Sequence, residues 1–168
     1  MVDGYNKQNM KHFLNIISIL AAVVIAGSSC STEKETPLKS VNQELVGDWH
    51  LSETTVEGTI LSNDVDVYLR ISSNGRFELY QKSTDQMRYD AYSGNCWSEG
   101  KDLLAGKYDN GKDWGTRYIV KITSTGLVLR SYDYLETQKY VKAEIPENVI
   151  EDADRSTKSS AKSSTPIL

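Results

Sequence analysis

The chain has 168 residues, a net charge of −4, 39% hydrophobic residues, two cysteines and two histidines. An acidic balance with Lys and Arg scattered singly excludes the basic stripe of a nucleic-acid binder, so no nucleic-acid partner is expected. The histidines, His12 and His50, and the cysteines, Cys30 and Cys96, lack the spacing of a metal-ligand set, so no metal and no cofactor are expected.

The first element is a leader. Lys11 and His12 give a basic lead-in, Phe13 to Ala26 is an apolar run, and Gly27-Ser28-Ser29 is a small-residue close before Cys30. Charged, apolar and small-residue segments in that order make a secretory signal, here residues 1–29. A membrane-spanning helix is the rival reading and needs about 20 predominantly apolar residues. Asn15 and Ser18 interrupt the run, and Ser31 to Glu35 after it carries no basic stop-transfer cluster, so cleavage is expected. Met10 is a second candidate start. Gly27-Ser28-Ser29-Cys30 resembles the lipobox of bacterial lipoproteins, with Gly27 where a leucine is usual. That resemblance implies acylation of Cys30, a membrane partner reached through that lipid, and residues 30–43 as lipidated N-terminus and linker. Removing the leader leaves one domain's worth of chain.

Val41 to Val46 is read as a helical turn leading into the first strand. From Gly47 the pattern alternates, as a half-buried strand does. Trp49 and Leu51 alternate with Asp48, His50 and Ser52. Residues 65–81 read as a hairpin about the Ser73-Asn74-Gly75 turn. Met87 to Tyr92 is a strand that Ser93-Gly94-Asn95 bends or bulges before Cys96-Trp97. Leu103 to Tyr108 and a strand beginning at Trp114 flank Asp109-Asn110-Gly111, a tight-turn signal. Leu127 to Tyr132 and Lys139 to Ala143 complete the strands. Pro146 suits the first turn of a helix and Glu147 its positive end, so a short helix to about Ala153 is expected, with Val149 and Ile150 as its apolar side. Ser156 to Leu168 is rich in Ser, Lys and Thr and reads as a disordered tail.

Short strands at steady spacing with tight turns predict an all-β domain over residues 44–155. The form expected is a small antiparallel up-and-down barrel of about eight strands, whose interior is just wide enough for side chains or one small ligand.

Gly47-Asp48-Trp49 at the head of the first strand resembles the Gly-x-Trp signature of lipocalins and their calycin relatives. The run from Leu45 to Pro146 is similar to the lipocalin-like domains of Bacteroidetes envelope lipoproteins. The similarity is carried by Leu45 to Trp49, Tyr68 to Phe77, Leu104 to Tyr108 and Gly111 to Gly115. It implies a structural barrel end at Gly47 and Trp49, with a late basic side chain stacked on that tryptophan. Arg130, Lys139 and Lys142 are the candidates. It also implies a location in the cell envelope, lipid-anchored at the outer membrane on its periplasmic or exposed side.

With Cys30 acylated, Cys96 has no partner and is expected to be buried. His50, opposite Trp49 by alternation, is expected to face solvent. Asp109, Asn110 and Asp113 crowd one hairpin, a set that hard cations favour but that turns use more often. No nucleophile motif appears and no local sequence points to a carboxylate pair, which need only meet in space, so no enzymatic activity is expected. Tyr89, Tyr108, Trp114 and Tyr118 are the candidate ligand-binding residues, lining a barrel mouth if they point inward. The first functional expectation is a tethered protein that binds a small hydrophobic or amphipathic ligand. The alternative is a structural or interaction module whose barrel is filled.

Overall fold

The computed structural model describes residues 40–61, 64–133, 135–157 and 165–168. The leader 1–29, Cys30 and the linker as far as Lys39 lie outside these residues.

Alternation builds the wall. In β3 (Val65–Ile71), Val67, Leu69 and Ile71 are buried, and in β4 (Arg76–Ser83), Phe77, Leu79 and Gln81 are, so a period of two gives each strand an inner side. The other strands are β1 (Gly47–Val56), β2 (Thr59–Leu61), β5 (Asp90–Glu99), β6 (Leu103–Tyr108), β7 (Tyr118–Ile122), β8 (Gly126–Ser131) and β9 (Glu136–Lys142). From β3 onward each strand pairs antiparallel with the next, and β9 returns to β1. Eight strands thereby close an antiparallel barrel, and β2 is an extra strand on β1. Closure removes the open edges that invite pairing between molecules.

β1 serves two neighbours on one edge: Gly47 to His50 pair with β3, and Thr54 to Val56 pair with β2. On its other edge the register with β9 shifts between Leu51 and Glu53, a bulge that bends the strand at that point. A 3-10 turn (Gln43–Leu45) precedes β1, with Asn42 accepting from the Glu44 N–H.

Two strand expectations are corrected. Ser93-Gly94-Asn95 does not bend the chain: β5 runs unbroken, and Phe77, Gly94 and Tyr108 lie in register across three strands. A side chain at Gly94 would lie 2.0 Å from the Lys107 carbonyl oxygen and 2.8 Å from the Phe77 ring, so the glycine serves close approach. Residues 87–89 precede the strand, Met87 being 95% exposed, and β7 begins at Tyr118, leaving Trp114 in the preceding loop.

After β9, Pro146 opens α1 (Glu147–Thr157), which runs a turn beyond the expected Ala153. Val149 and Ala153, four residues apart and hence on one face, are buried with Ile145 against Tyr80 and Tyr89 on the outside of the wall. Among the described residues no helix is long and apolar enough to cross a membrane.

The last correction concerns the tail. Of residues 156–168, the first two belong to α1, 158–164 lie outside the described residues, and Thr165–Leu168 is seated in the barrel. Leu168 is 4% exposed and belongs to the same apolar cluster as Leu69, Phe77, Leu129 and Tyr140. The Ser/Lys/Thr composition that reads as disordered stops short of this Pro-Ile-Leu end, which is apolar and finds partners for its main chain.

Candidate functional site

The two ends of the barrel differ. At the end where β1 begins, Gly47 enters the strand at φ +142° and Trp49 is 0% exposed. The Trp49 Nε1–H donates to the Leu45 carbonyl at 3.0 Å, and Lys142 Nζ sits 5.4 Å from the ring centroid. Of the three basic candidates Lys142 is the one on this ring, whereas Lys139 pairs with Glu53 at 2.5 Å outside. That end is shut by a large ring whose polar atom is satisfied and whose π-face holds a cation.

Toward the other end the lumen becomes polar. Tyr108, Tyr118, Gln81 and Gln138 are all buried on the inner side of β6, β7, β4 and β9. Trp114 drops from the loop after β6 onto Gly106, where an added Cβ would lie 2.2 Å from the indole, so only glycine lets the ring lie flat against the strand. It meets Phe77 and Tyr118 edge-on at centroid distances of 5.2 and 6.0 Å. The buried Trp114 Nε1–H has no acceptor among the described residues.

Segment 165–168 lies among these side chains. The Gln81 amide donates from Nε2 to the Thr165 carbonyl and accepts at Oε1 from the Ile167 N–H, both at 3.0 Å. Gln138 Nε2 and the Tyr118 hydroxyl donate to the Ile167 carbonyl at 3.2 and 3.3 Å. The Tyr108 hydroxyl donates to the Leu168 main-chain oxygen at 2.6 Å. Ile167 also lines an apolar cavity of about 250 Å3 with Leu51, Thr54, Val56, Leu61 and Val65, Glu136 being its charged member. Ile60, in β2, and Leu135, just before β9, are both exposed.

Burial pushes the phenols of Tyr108, Tyr118 and Tyr140 above their usual range. They stay protonated at neutral pH and act as neutral donors. Burial likewise pushes the Cys96 thiol up to about 12, which keeps it un-ionised inside the wall.

Three of the four candidate ligand residues, Tyr108, Trp114 and Tyr118, thus line the lumen. Tyr89 does not: it precedes β5 and lies outside the wall beneath α1. The inner side of β5 carries Tyr92, Gly94 and Cys96, so Tyr89 shares the opposite parity with Ala91 and both belong to the outer cluster. Its hydroxyl donates to Asp66, which also meets His50 Nε2 at 2.7 Å, and Tyr68 stacks on the His50 ring at 4.4 Å. His50 is half-exposed on the outer face, with a carboxylate partner that its sequence neighbours do not reveal. Asp109 is engaged by both terminal nitrogens of Arg76 at 2.6 and 2.5 Å and by the Ser93 hydroxyl at 2.6 Å, which makes it a turn clamp.

Sequence reasoning missed Gln81, Gln138 and segment 165–168. The signal for Gln81 was its place two residues beyond Leu79 on the inner period of β4; for the segment it was an apolar Pro-Ile-Leu after a polar stretch.

No family model and no curated protein matches the chain. Solved structures do. Lipoprotein YedD from Klebsiella pneumoniae subsp. pneumoniae MGH 78578 aligns at a TM-score of 0.46 and 13% identity, over 77% of this chain and 97% of that one. A protein from Bacteroides uniformis ATCC 8492 aligns at 0.48 and 18% identity, over 64% of this chain and 97% of that one.

Proposed function

We propose that this chain is a lipocalin-like envelope lipoprotein, anchored through lipid on Cys30, whose barrel binds a small hydrophobic or amphipathic ligand near its open end. The role is binding, not catalysis. The observation that carries it is the nature of the lumen beyond Phe77. There Tyr108, Trp114 and Tyr118 bring apolar ring faces into the core cluster around segment 165–168, and Ile167 of that segment lines an apolar cavity of about 250 Å3. Pockets with apolar walls and a few placed polar groups are the usual form of small-molecule sites. Titration with a dansylated fatty acid tests the reading: enhanced, saturable dansyl fluorescence, weakened at least tenfold by Trp114→Ala, is the expected result. A flat titration with a chain of native circular dichroism rejects it. Anchoring is tested separately by labelled palmitate, which should enter the wild-type protein in cells and not the Cys30→Ser variant.

The second reading is a filled barrel that binds no ligand and meets another envelope component with its outside. The seating of Thr165–Leu168 among the luminal side chains favours it. Hydrogen exchange separates the two. If the Ile167 amide exchanges only with global unfolding, the segment is a permanent part of the core; if it exchanges orders of magnitude faster than β4, the lumen opens in the native state.

A further inference from the structure

The luminal polar groups around segment 165–168 meet main chain. Gln81 reads a carbonyl and an N–H two residues apart, straddling Pro166, which has no N–H to offer. Gln138 and Tyr118 converge on the next carbonyl, and Tyr108 takes the main-chain oxygen after it. The side chains of the segment add shape: Ile167 faces the apolar cavity and Leu168 is enclosed by the core cluster. Recognition of an extended backbone by fixed donors and acceptors, with pockets for the side chains, is a peptide-binding arrangement.

The same groups suit an acyl chain poorly. A hydrocarbon tail would leave both ends of the Gln81 amide buried without the partners they have here, the expensive outcome for buried polar groups, while Gln138 would keep its bond to Glu136. A fatty-acid carboxylate would also find no buried cation. Among the described residues the buried polar and charged side chains are Gln81, Asp90, Ser131 and Gln138, and the charged member is an acid.

We propose that the lumen is a site for short extended peptides carrying two consecutive aliphatic residues, and that residues 165–168 are its resident occupant, displaced when such a peptide binds. The proposal rests on the lumen being a ligand site and narrows the ligand to one that presents amide groups. An occupant held by side chains, outside every strand pairing of the barrel, leaves without dismantling the wall. An incoming peptide replaces each hydrogen bond it breaks, so exchange is near-balanced and set by concentration.

The test uses the full chain and a fluorescein-labelled synthetic peptide of residues 161–168, read by anisotropy. Ile167→Asp/Leu168→Asp places charge in the apolar sites and should eject the segment. The expected result is peptide affinity at least tenfold higher for this variant than for wild type. Adding Gln81→Leu should then weaken the peptide at least tenfold without weakening a dansylated fatty acid. If the fatty acid binds the double variant and the peptide does not, the ligand-site reading stands and the peptide proposal falls. If neither binds a variant with a wild-type strand spectrum, both fall. Equal peptide affinity for wild type and variant also overturns the proposal, because the segment would then not be the competitor. A readout on the wild-type chain needs no substitution: unlabelled peptide in excess should move the Ile167 and Leu168 methyl resonances to random-coil positions, and methyls that stay in place under saturating peptide refute displacement.

Discussion

α1 and segment 165–168 cover opposite faces of one wall, and they hold on by different means. The helix arrives with its backbone already paired, so it can lie on an apolar patch; Val149, Ala153 and Ile145 meet Tyr80 and Tyr89 there. One polar tie to the wall is the Asp152 carboxylate, which accepts from the Tyr89 N–H at 3.1 Å. Segment 165–168 has no helix or strand of its own, so the wall must supply partners, and Gln81, Gln138, Tyr108 and Tyr118 do. An unpaired backbone therefore calls for a polar lumen and a paired one for a greasy surface. The first kind of cover can be exchanged for another backbone; the second is fixed by area.

Substitutions can break this contrast. The largest effect is expected for Trp49→Ala, which removes the floor that both covers depend on. Burial at 0% exposure and the bond to Leu45 place the loss at about 3–5 kcal/mol, read by urea unfolding. Next is Val149→Ala, which strips two methyl groups from the outer cover. About 2 kcal/mol is expected, with enhanced proteolysis around α1 and the 165–168 amides unchanged. Gln81→Leu acts on the inner cover alone. It strands the Thr165 carbonyl and the Ile167 N–H, so hydrogen exchange at Ile167 should accelerate by about tenfold or more while the urea midpoint shifts by less than about 1 kcal/mol equivalent.

The smallest effect is expected for Tyr118→Phe, about 0.5 kcal/mol at neutral pH, because its bond to the Ile167 carbonyl is long at 3.3 Å. Its pH dependence is more telling. Burial raises the folded phenol above the unfolded value of about 10, so the unfolded chain loses this proton first. The stability it contributes is intact below pH ~10 and is lost as pH rises through the folded value. The phenylalanine variant lacks that loss, so its small disadvantage at neutral pH should shrink and then reverse as pH rises above about 10.

Most of the wall was legible from residues. Period-two runs such as Val67, Leu69, Ile71 and Phe77, Leu79 are stated directly in the chain, and glycine-bearing turns separate them. What sequence could not show depends on meetings across the barrel. Gly94 reads as a bend because its actual reason, the approach of Phe77 and the Lys107 carbonyl, belongs to two other strands. Tyr89 was put inside although it has the parity of Ala91, the outer side of β5, because the alternation alone does not say which face of the segment meets the core; Asp66 finds His50 only because β1 and β3 lie side by side. Of the candidate site, its aromatic members came from composition and position. Gln81 and Gln138 did not, since an inward glutamine makes sense only once something needs its amide.

The seam between β1 and β9 joins residues near the two extremes of the domain; Glu53 and Lys139, which meet across it, are 86 positions apart. Such distant pairing gives the fold a high contact order, and proteins of that kind form in milliseconds to seconds instead of microseconds. A nascent chain emerging N-terminal end first would carry β1 with its partner edge bare until β9 is made. Closure of the barrel thus waits on its last strand, whatever order the other pairings form in.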